Sequence, residues 1–265
     1  MIFGNPIAQS LSPFIHRVFS EQTKQTLEYG RQCIALELFF STVSDFFNQG
    51  GKGCNITTPF KELAFQFADE ITERAMLAGA VNTLKRLDSG VILGDNTDGL
   101  GLVKDLERYN LITSDTNLLL IGAGGAAKGV INPLLEAKPK SITVVNRTYE
   151  KAKRLAQSFS AYGDISSIRF EKLSHHYDLV INATSADLQG SYLKVPSKIF
   201  SPVTVSYDMS YMKKTTSFNR LARESGVSRT YDGLGMLVEQ AAESFRLWRG
   251  VYPEAASVFK LLMKA

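Results

Sequence analysis

Residues 118–127 read Leu-Leu-Leu-Ile-Gly-Ala-Gly-Gly-Ala-Ala, a short apolar run followed by a glycine-rich turn. Such a run is typical of a parallel strand that is buried on both faces. In the turn that follows, Gly122 permits a tight bend and Gly124 lets the backbone approach a pyrophosphate. A helix that begins here would point its N–H groups and the positive end of its dipole at that anion. The stretch therefore predicts a dinucleotide site made by five consecutive residues, Gly122, Ala123, Gly124, Gly125 and Ala126.

Further strand-like and helical stretches follow on the C-terminal side of this turn. Three apolar, β-branched runs are predicted to be strands, at residues 141–145, 178–181 and 203–207, and residues 151–159 have helical character. Strands that alternate with helices predict a parallel sheet built from β-α-β units. We therefore expect a Rossmann-type domain over residues 99–235.

The first hundred residues also alternate between the two patterns. The predicted elements are a strand at Phe3, a helix over 13–22, a strand over 53–56, a helix over 59–70 and a strand over 91–93. Near the C-terminus, an apolar stripe at helical spacing consists of Leu237, Ala241, Phe245 and Trp248. The expected fold is α/β with two domains. The first has a mainly parallel sheet and comprises residues 1–98 together with 236–265, because the last helices are expected to return to it.

Composition excludes several functional classes. The 265 residues carry a net charge of only +4, and no block of like charge predicts a nucleic-acid surface. The first residues have neither the charged nor the apolar region of a signal peptide, and no apolar run is long enough to span a bilayer. The cysteines, Cys33 and Cys54, have no metal-site spacing. We expect a cytoplasmic enzyme without a metal, a membrane anchor or a nucleic-acid partner.

The end of the second strand of the Rossmann-type domain indicates which dinucleotide is bound. A carboxylate there would accept hydrogen bonds from the ribose 2′-hydroxyl of NAD. This chain has Asn146, Arg147 and Thr148 instead, with Lys151 one turn further on. A guanidinium can bind a 2′-phosphate through two hydrogen bonds, so the pattern favours NADP. The alternative is an ordinary solvated helix start with Thr148 as its N-cap.

Small polar residues mark the other predicted domain. Ser10 and Ser12 flank one residue just before Pro13, so in an extended segment their hydroxyls would point the same way. Ser12 could instead be only a helix N-cap with Pro13 at the first helical position. If Thr58 caps the next helix, Lys61 lies in its first turn, where the helix dipole disfavours a cation, and this makes Lys61 a candidate functional residue.

Short motifs occur in an order and spacing that resemble the shikimate dehydrogenase family over nearly the whole chain. They comprise residues 5–7, 10–13, 55–61, 80–83, 96–99, 122–127, 182–185 and 232–237. The resemblance implies NADP-dependent, reversible reduction of 3-dehydroshikimate to shikimate, a step in aromatic amino acid biosynthesis, in a cleft between the two domains. It also implies a protein that acts as a monomer or a homodimer.

The same resemblance assigns roles to individual residues. Lys61 and Asp98 would be catalytic and would also contact the substrate. The other implied substrate residues are Ser10 and Ser12 for the carboxylate, and Thr57, Asn82, Tyr211 and Gln240 for the ring hydroxyls and carboxylate. Glu73, Met209 and Gly233 match positions near the nicotinamide.

Three departures from the family pattern affect loops. Asp187 replaces the usual glycine, and Lys213 and Ser217 replace prolines after Tyr211. Two alternatives remain open at this point, an NAD-preferring quinate/shikimate dehydrogenase and a non-catalytic dinucleotide sensor. A folate-linked dehydrogenase of similar plan would leave the serine pair unexplained.

Overall fold

The computed structural model describes residues 1–184, 195–212 and 214–264. The chain divides into two compact units, one formed by Met1–Gly101 with Leu237–Ala265 and the other by Leu102–Met236. The described residues form ten α-helices, which are α1 (Ser12–Thr23), α2 (Phe39–Asn48), α3 (Lys61–Phe67), α4 (Glu73–Ala78), α5 (Asp98–Arg108), α6 (Gly125–Glu136), α7 (Tyr149–Phe159), α8 (Ser217–Glu224), α9 (Leu234–Arg249) and α10 (Ala255–Leu262).

The first unit contains a mixed, mainly parallel sheet. Its strands are β1 (Ile2–Gly4), β2 (Arg31–Cys33), β3 (Gly53–Ile56), β4 (Glu70–Ile71), β5 (Thr83–Arg86) and β6 (Ile92–Asp95). They lie in the order β2-β1-β3-β5-β6-β4. Only β5 runs antiparallel to its neighbours, β3 and β6, and the other pairings among the described strands are parallel. The prediction of a mainly parallel first sheet is confirmed.

The reversed direction of β5 decides where its polar residues lie. Thr83, at the start of β5, pairs with Asn55 near the end of β3 and with Asp95 at the end of β6. The residues that follow β3 and β6 therefore meet the residue that precedes β5, which is Asn82. This edge of the sheet collects side chains from three separate parts of the sequence.

Two apolar clusters stabilise the first unit. One lies around the sheet and includes the fully buried Phe3, Phe39 and Phe60. The other packs α1 against the C-terminal helices, with Phe19 and Phe245 in edge contact at 5.9 Å between ring centroids. The predicted return of the last helices to the first part of the chain is confirmed.

The second unit contains a parallel sheet. Its strands are β7 (Asn117–Ile121), β8 (Ser141–Val145), β9 (Ile165–Ile168), β10 (Leu179–Asn182), β11 (Val205–Asp208) and β12 (Arg229–Tyr231). They lie in the order β12-β11-β10-β7-β8-β9, and every described pairing is parallel. The first strand of the set, β7, lies between the second and the fourth, which is the Rossmann strand order. The predicted Rossmann-type sheet is confirmed.

The prediction of one helix over residues 59–70 is wrong at both ends. The helix, α3, begins only at Lys61 and ends at Phe67, after which Ala68 is extended with φ −68° and ψ 137°. The chain extends here because Glu70 and Ile71 pair with β6, and because Asp69 accepts a hydrogen bond from the backbone N–H of Ile92 at 2.8 Å. Sheet pairing overrides the helical preference of the sequence.

In the described ranges, no helix has both the length and the apolar character that crossing a bilayer requires.

Candidate active site

Lys61 and Asp98 form an ion pair in the first unit. Lys61 Nζ donates to Asp98 Oδ2 at 2.5 Å, and the two side chains are 29% and 13% exposed. Each residue is the first of its helix, α3 for Lys61 and α5 for Asp98. Lys61 does lie where the helix dipole disfavours a cation, and the carboxylate of Asp98 offsets that cost. The helix cap predicted at Thr58 is wrong, because Phe60 occupies the N-cap position and makes no side-chain cap.

Asn82 fixes the position of Asp98. Its Nδ2 donates to Asp98 Oδ1 at 2.8 Å, and its Oδ1 accepts from the backbone N–H of Thr97 at 2.9 Å. Asn82 is 3% exposed, so these bonds form away from competing water. The amide therefore holds both the carboxylate and the backbone just before it.

The loop that carries Asp98 is fixed from within as well. Asn96 Oδ1 accepts from the backbone N–H of Asp98 at 3.1 Å, and Asn96 Nδ2 donates to the carbonyl of Ala80 at 3.0 Å. These bonds connect the loop after β6 to the segment before β5. The geometry explains why asparagines stand at both positions 82 and 96.

Gln240 joins this cluster from α9. Its Oε1 lies 3.4 Å from both Asn82 Nδ2 and Thr97 Oγ1, and its Nε2 donates to the carbonyl of Leu237 at 2.8 Å. The structure thus brings together four predicted site residues, Lys61, Asn82, Asp98 and Gln240.

The serine pair does not have the predicted conformation. Leu11 between them is helical, with φ −84° and ψ −8°, so the segment is not extended. Ser12 is the first residue of α1, and Leu11 takes the N-cap position, so the prediction that Ser12 is the N-cap is wrong too. Ser10 provides the local contact instead, because its Oγ accepts from the backbone N–H of Ser12 at 3.3 Å. The helix begins one residue earlier than Pro13 suggested, which moves Ser12 into its first turn.

Two further predicted residues lie in the first unit. The backbone N–H of Thr57 donates to the carbonyl of Phe3 at 3.0 Å, which places Thr57 at the same end of the sheet as Asn82. The methyl group of Thr57 lies against Gly4, where a Cβ would overlap it. Glu73 is exposed at the first position of α4, whose N-cap is Thr72.

The glycine-rich turn of the second unit has the geometry that the sequence predicts. Gly122 has φ +120°, a conformation that favours glycine, and a Cβ there would lie 3.1 Å from the carbonyl oxygen of Ala183. Gly124 is the N-cap of α6, and a Cβ at Gly124 or Gly125 would meet open space. The exposed end of a twelve-residue helix, with Ala126 in its first turn, can therefore accept a phosphate.

The basic segment after β8 is accessible. Arg147, Thr148 and Lys151 are exposed, and Asn146 Nδ2 donates to the carbonyl of Thr148 at 2.9 Å. Thr148 occupies the N-cap position of α7, as the alternative interpretation required, but its side chain makes no capping bond. In the described part of the chain Arg147 forms no ion pair, so its guanidinium can meet an anionic ligand.

Met209 and Gly233 are in direct contact in the second unit. A Cβ at Gly233 would overlap the carbonyl oxygen of Met209, and the backbone N–H of Gly233 donates to the carbonyl of Ser210 at 3.0 Å. Tyr211 follows this contact, and partial burial raises the pKa of its hydroxyl. Ser217, one of the departures, begins α8, whereas Asp187 and Lys213 lie outside the described residues.

Sequence reasoning missed several residues that support the pair. Asp95, 1% exposed, accepts from Arg74 Nε at 2.6 Å and from Thr72 Oγ1 at 2.6 Å. Arg74 also reaches Glu243 on α9, at 3.2 Å. A buried carboxylate three residues before Asp98 was the available signal, because such a group requires a partner.

An ammonium beside a carboxylate that is itself held by a buried amide suits one kind of chemistry. The ammonium can stabilise negative charge that develops on a substrate oxygen and can donate a proton to it. The carboxylate keeps the ammonium oriented. No cluster of three or more His, Cys, Asp or Glu that could bind a metal occurs in the part of the chain that the structure describes.

Three family profiles match the chain. The profile of the shikimate dehydrogenase substrate binding domain matches residues 2–84. The profile of shikimate / quinate 5-dehydrogenase matches residues 106–189, and that of the shikimate 5′-dehydrogenase C-terminal domain matches residues 233–261.

Named relatives and solved structures resemble the chain over nearly its whole length. Shikimate dehydrogenase (NADP(+)) from Vibrio cholerae is 54% identical over 263 residues, which cover 99% of this chain and 95% of that one. The corresponding protein from Psychromonas ingrahamii is 52% identical, with 98% and 96% covered. The structure of shikimate 5-dehydrogenase from Thermus thermophilus with NADP(H) and shikimate has a TM-score of 0.88 at 31% identity, covering 99% and 97%. The structure of an Ael1 enzyme from Pseudomonas putida has a TM-score of 0.92 at 42% identity, covering 98% and 96%.

Proposed function

Since this chain belongs to the shikimate dehydrogenase family, we propose that it reduces 3-dehydroshikimate to shikimate, reversibly, with NADPH as the reductant. The reaction is a step of the shikimate pathway, which leads to chorismate and the aromatic amino acids. The observation that carries the proposal is the Lys61–Asp98 pair, held at 2.5 Å and oriented by Asn82.

The residues of the second unit fit the cofactor. The exposed turn at Gly124 and Gly125 leaves room for a pyrophosphate at the N-terminus of α6. Ala123 and Ala126 complete the turn with small side chains, and Gly122 supplies the bend. Met209 and Gly233 form the proposed contact with the nicotinamide end, to which we also assign Glu73. When bound, NADPH supplies the hydride.

The basic segment supports NADP over NAD. Arg147 is exposed and forms no ion pair with the described residues, and Asn146, Thr148 and Lys151 lie beside it. A guanidinium binds a 2′-phosphate through charge-assisted hydrogen bonds, whereas NAD lacks that phosphate. An NAD-preferring quinate/shikimate dehydrogenase is the second candidate, and this segment disfavours it.

We assign the remaining site residues to the substrate. Ser10 and Ser12 would bind its carboxylate through their hydroxyls. The proposed contacts with the ring hydroxyls and carboxylate come from Thr57, Asn82, Tyr211 and Gln240. The close contacts among Asn82, Asp98 and Gln240 support a shared role for these three.

The catalytic pair then acts on the reacting carbonyl. Lys61 stabilises the negative charge that develops on the carbonyl oxygen and donates a proton to it. Asp98 orients Lys61 and accepts a hydrogen bond from a substrate hydroxyl. The protein supplies position and electrostatics for this step. In the reverse direction Lys61 in its neutral amine form accepts the proton from the hydroxyl of shikimate and becomes the ammonium again.

The wider assignments follow from the same proposal. Residues 1–98 with 236–265 would form the substrate-binding catalytic domain, and residues 99–235 the NADP-binding domain. We propose that the protein acts in the cytoplasm as a monomer or a homodimer.

The test is a spectrophotometric assay of the purified protein. With shikimate and NADP⁺, absorbance at the NADPH band should rise continuously, and NADH formation from NAD⁺ should be at least about tenfold slower at equal cofactor concentration. The rate with quinate in place of shikimate tests the second candidate, the NAD-preferring quinate/shikimate dehydrogenase. Sustained turnover excludes a dinucleotide sensor, whereas binding of NADP⁺ without turnover would contradict the proposal.

A further inference from the structure

Ser244 is a buried hydroxyl at the centre of the polar cluster in the first unit. It lies on α9 and is fully buried. Its Oγ accepts from Asn55 Nδ2 at 3.0 Å and lies 2.8 Å from Thr83 Oγ1 and 3.2 Å from Thr97 Oγ1. Its Oγ also lies 3.0 Å from the carbonyl oxygen of Gln240, one helical turn earlier.

The three side chains around Ser244 all bind Asn82. Asn55 Nδ2 donates to the backbone carbonyl of Asn82 at 3.2 Å. Thr83 Oγ1 donates to Asn82 Oδ1 at 2.8 Å, and Thr97 Oγ1 lies 3.2 Å from the same oxygen. Ser244 therefore contacts three side chains that also bind Asn82.

The number of protons available for these hydrogen bonds fixes the orientation of the Asn82 amide. A hydroxyl has one proton to donate. Thr83 uses its proton on Asn82 Oδ1, so in this arrangement Ser244 gives its proton to Thr83 Oγ1 and not to the carbonyl of Gln240. Thr83 Oγ1 also accepts from Asn55 Nδ2 at 3.1 Å. Because Asn82 Oδ1 faces these donors, Asn82 Nδ2 faces Asp98.

The role of Ser244 goes beyond its helix. A serine inside a helix gains little from a bond to the carbonyl four residues earlier, and alanine has the higher helix propensity. Ala241 and Phe245 on the same helix pack in the apolar cluster. The hydroxyl of Ser244 instead contacts the polar side chains of Asn55, Thr83 and Thr97.

We infer that Ser244 is a positioning residue for the proposed reaction, because it keeps the Asn82 amide turned so that it donates to Asp98. The inference rests on the proposed function, in which Asp98 orients Lys61. Without the Ser244 hydroxyl, Thr83 can turn its proton away from Asn82. The backbone N–H of Thr97 still donates to Asn82 Oδ1, so the amide does not flip, but fewer donors hold it and its hydrogen bond to Asp98 weakens.

The kinetic test compares Ser244→Ala with Ser244→Thr. The alanine variant should lower kcat for shikimate oxidation about fivefold to tenfold, the effect of one or two hydrogen bonds, while the Kd for NADP⁺ stays within about twofold. The threonine variant keeps the hydroxyl and should recover most of the activity. The control is Ser225→Ala, which loses a bond of the same kind, from Ser225 Oγ to the carbonyl of Leu221 at 2.9 Å, and should keep wild-type kcat.

A crystal structure of Ser244→Ala gives a readout that does not depend on turnover. We expect the distance from Asn82 Nδ2 to Asp98 Oδ1 to lengthen from 2.8 Å to more than about 3.2 Å, the upper end of the normal range for such a bond. Wild-type kcat in the alanine variant, or an Asn82–Asp98 contact that is unchanged in its structure, would overturn the inference. If the wild-type protein does not turn over, the proposed function fails, and the crystal structure alone decides the role of Ser244. If Ser244→Ala does not fold, Ser244→Cys, a weak hydrogen-bond donor of similar size, replaces it in both measurements.

Discussion

Arg74 forms a bidentate pair of hydrogen bonds with the buried carboxylate of Asp95, from Nε to Oδ1 at 2.6 Å and from Nη2 to Oδ2. Burial alone would lower the pKa of Arg74, but the hydrogen bonds and charges of Asp95 and Glu243 outweigh burial and raise it. Asp95 precedes Asp98 by three residues, and Glu243 follows Gln240 by three. Arg74 thus connects the loop that carries Asp98 with the helix that carries Gln240.

The first prediction concerns this connection. Arg74→Met leaves Asp95 buried without its charged partner, so the free energy of unfolding should fall by about 3–5 kcal/mol. Arg246→Met is the matched control, because Arg246 also binds Glu243 but is 48% exposed, and it should cost at most about 1 kcal/mol. Denaturant titration measures both variants. Equal, small losses would show that Arg74 contributes no more than a surface ion pair.

The second prediction concerns His16, which is fully buried between Tyr29, at 4.2 Å between ring centroids, and Trp248, at 5.3 Å. Burial lowers the pKa of His16 from 6.5 to about 3. The unfolded chain therefore binds a proton at His16 more readily than the folded protein does. The stability that comes from keeping His16 neutral is complete above pH 6.5 and is lost as the pH falls toward 3.

The test compares the pH dependence of unfolding in wild type and His16→Phe. Between pH 6 and 4, the phenylalanine variant should lose about 1 kcal/mol less stability per pH unit than wild type. His176→Gln, which removes an exposed histidine, should keep the wild-type slope. Identical slopes for wild type and His16→Phe would mean that His16 does not resist protonation.

The third prediction concerns cofactor choice. Arg147→Ala should weaken NADP⁺ binding about tenfold to a hundredfold and leave NAD⁺ binding nearly unchanged, because only NADP⁺ carries the 2′-phosphate. Lys153→Ala removes an exposed charge from α7, the helix that follows Arg147, and should affect neither cofactor strongly. Calorimetric titration supplies the dissociation constants. Equal losses for both cofactors would assign Arg147 a structural role.

The fourth prediction concerns the substrate carboxylate. Ser10→Ala and Ser12→Ala should each raise the KM for shikimate about tenfold or more, because each removes a hydrogen bond to a charged group, while NADP⁺ binding stays near normal. Steady-state kinetics with shikimate varied measures the effect. If Ser10→Ala lowers stability with no change in KM, its contact with the N–H of Ser12 is its whole role.

The sequence predicted those parts of the fold that depend on local pattern. The apolar run of β7 and the turn at Gly122 follow each other directly in the sequence. Gly122 has the positive φ that the motif requires. Lys61 and Asp98 were found through motifs, and the structure then showed their contact.

Features that depend on distant pairing could not be predicted in this way. The bonds between Arg74 and Asp95 exist because β4 pairs with β6, and the same pairing ends α3 at Phe67. The position of Ser244 depends on how α9 packs near β5, more than 150 residues earlier in the chain. Neither pattern nor propensity encodes such contacts.

The fifth prediction is that Lys61 and Asp98 act as one unit. Each single change, Lys61→Met or Asp98→Asn, should lower kcat, because in the proposed mechanism Lys61 transfers the proton and Asp98 holds Lys61 in place. The double variant should lose much less than the product of the two single losses, because the second change acts on a pair that is already broken. A loss in the double variant equal to the product of the two single losses would show that the two residues act independently.

The most direct test of the catalytic role of Lys61 is the kcat of Lys61→Met with saturating shikimate and NADP⁺, read at the NADPH band. The variant keeps the aliphatic stem of the side chain and removes its charge and its proton. We predict a loss of about 10²–10⁴ in kcat with little change in NADP⁺ affinity. A kcat close to wild type would contradict the proposed mechanism.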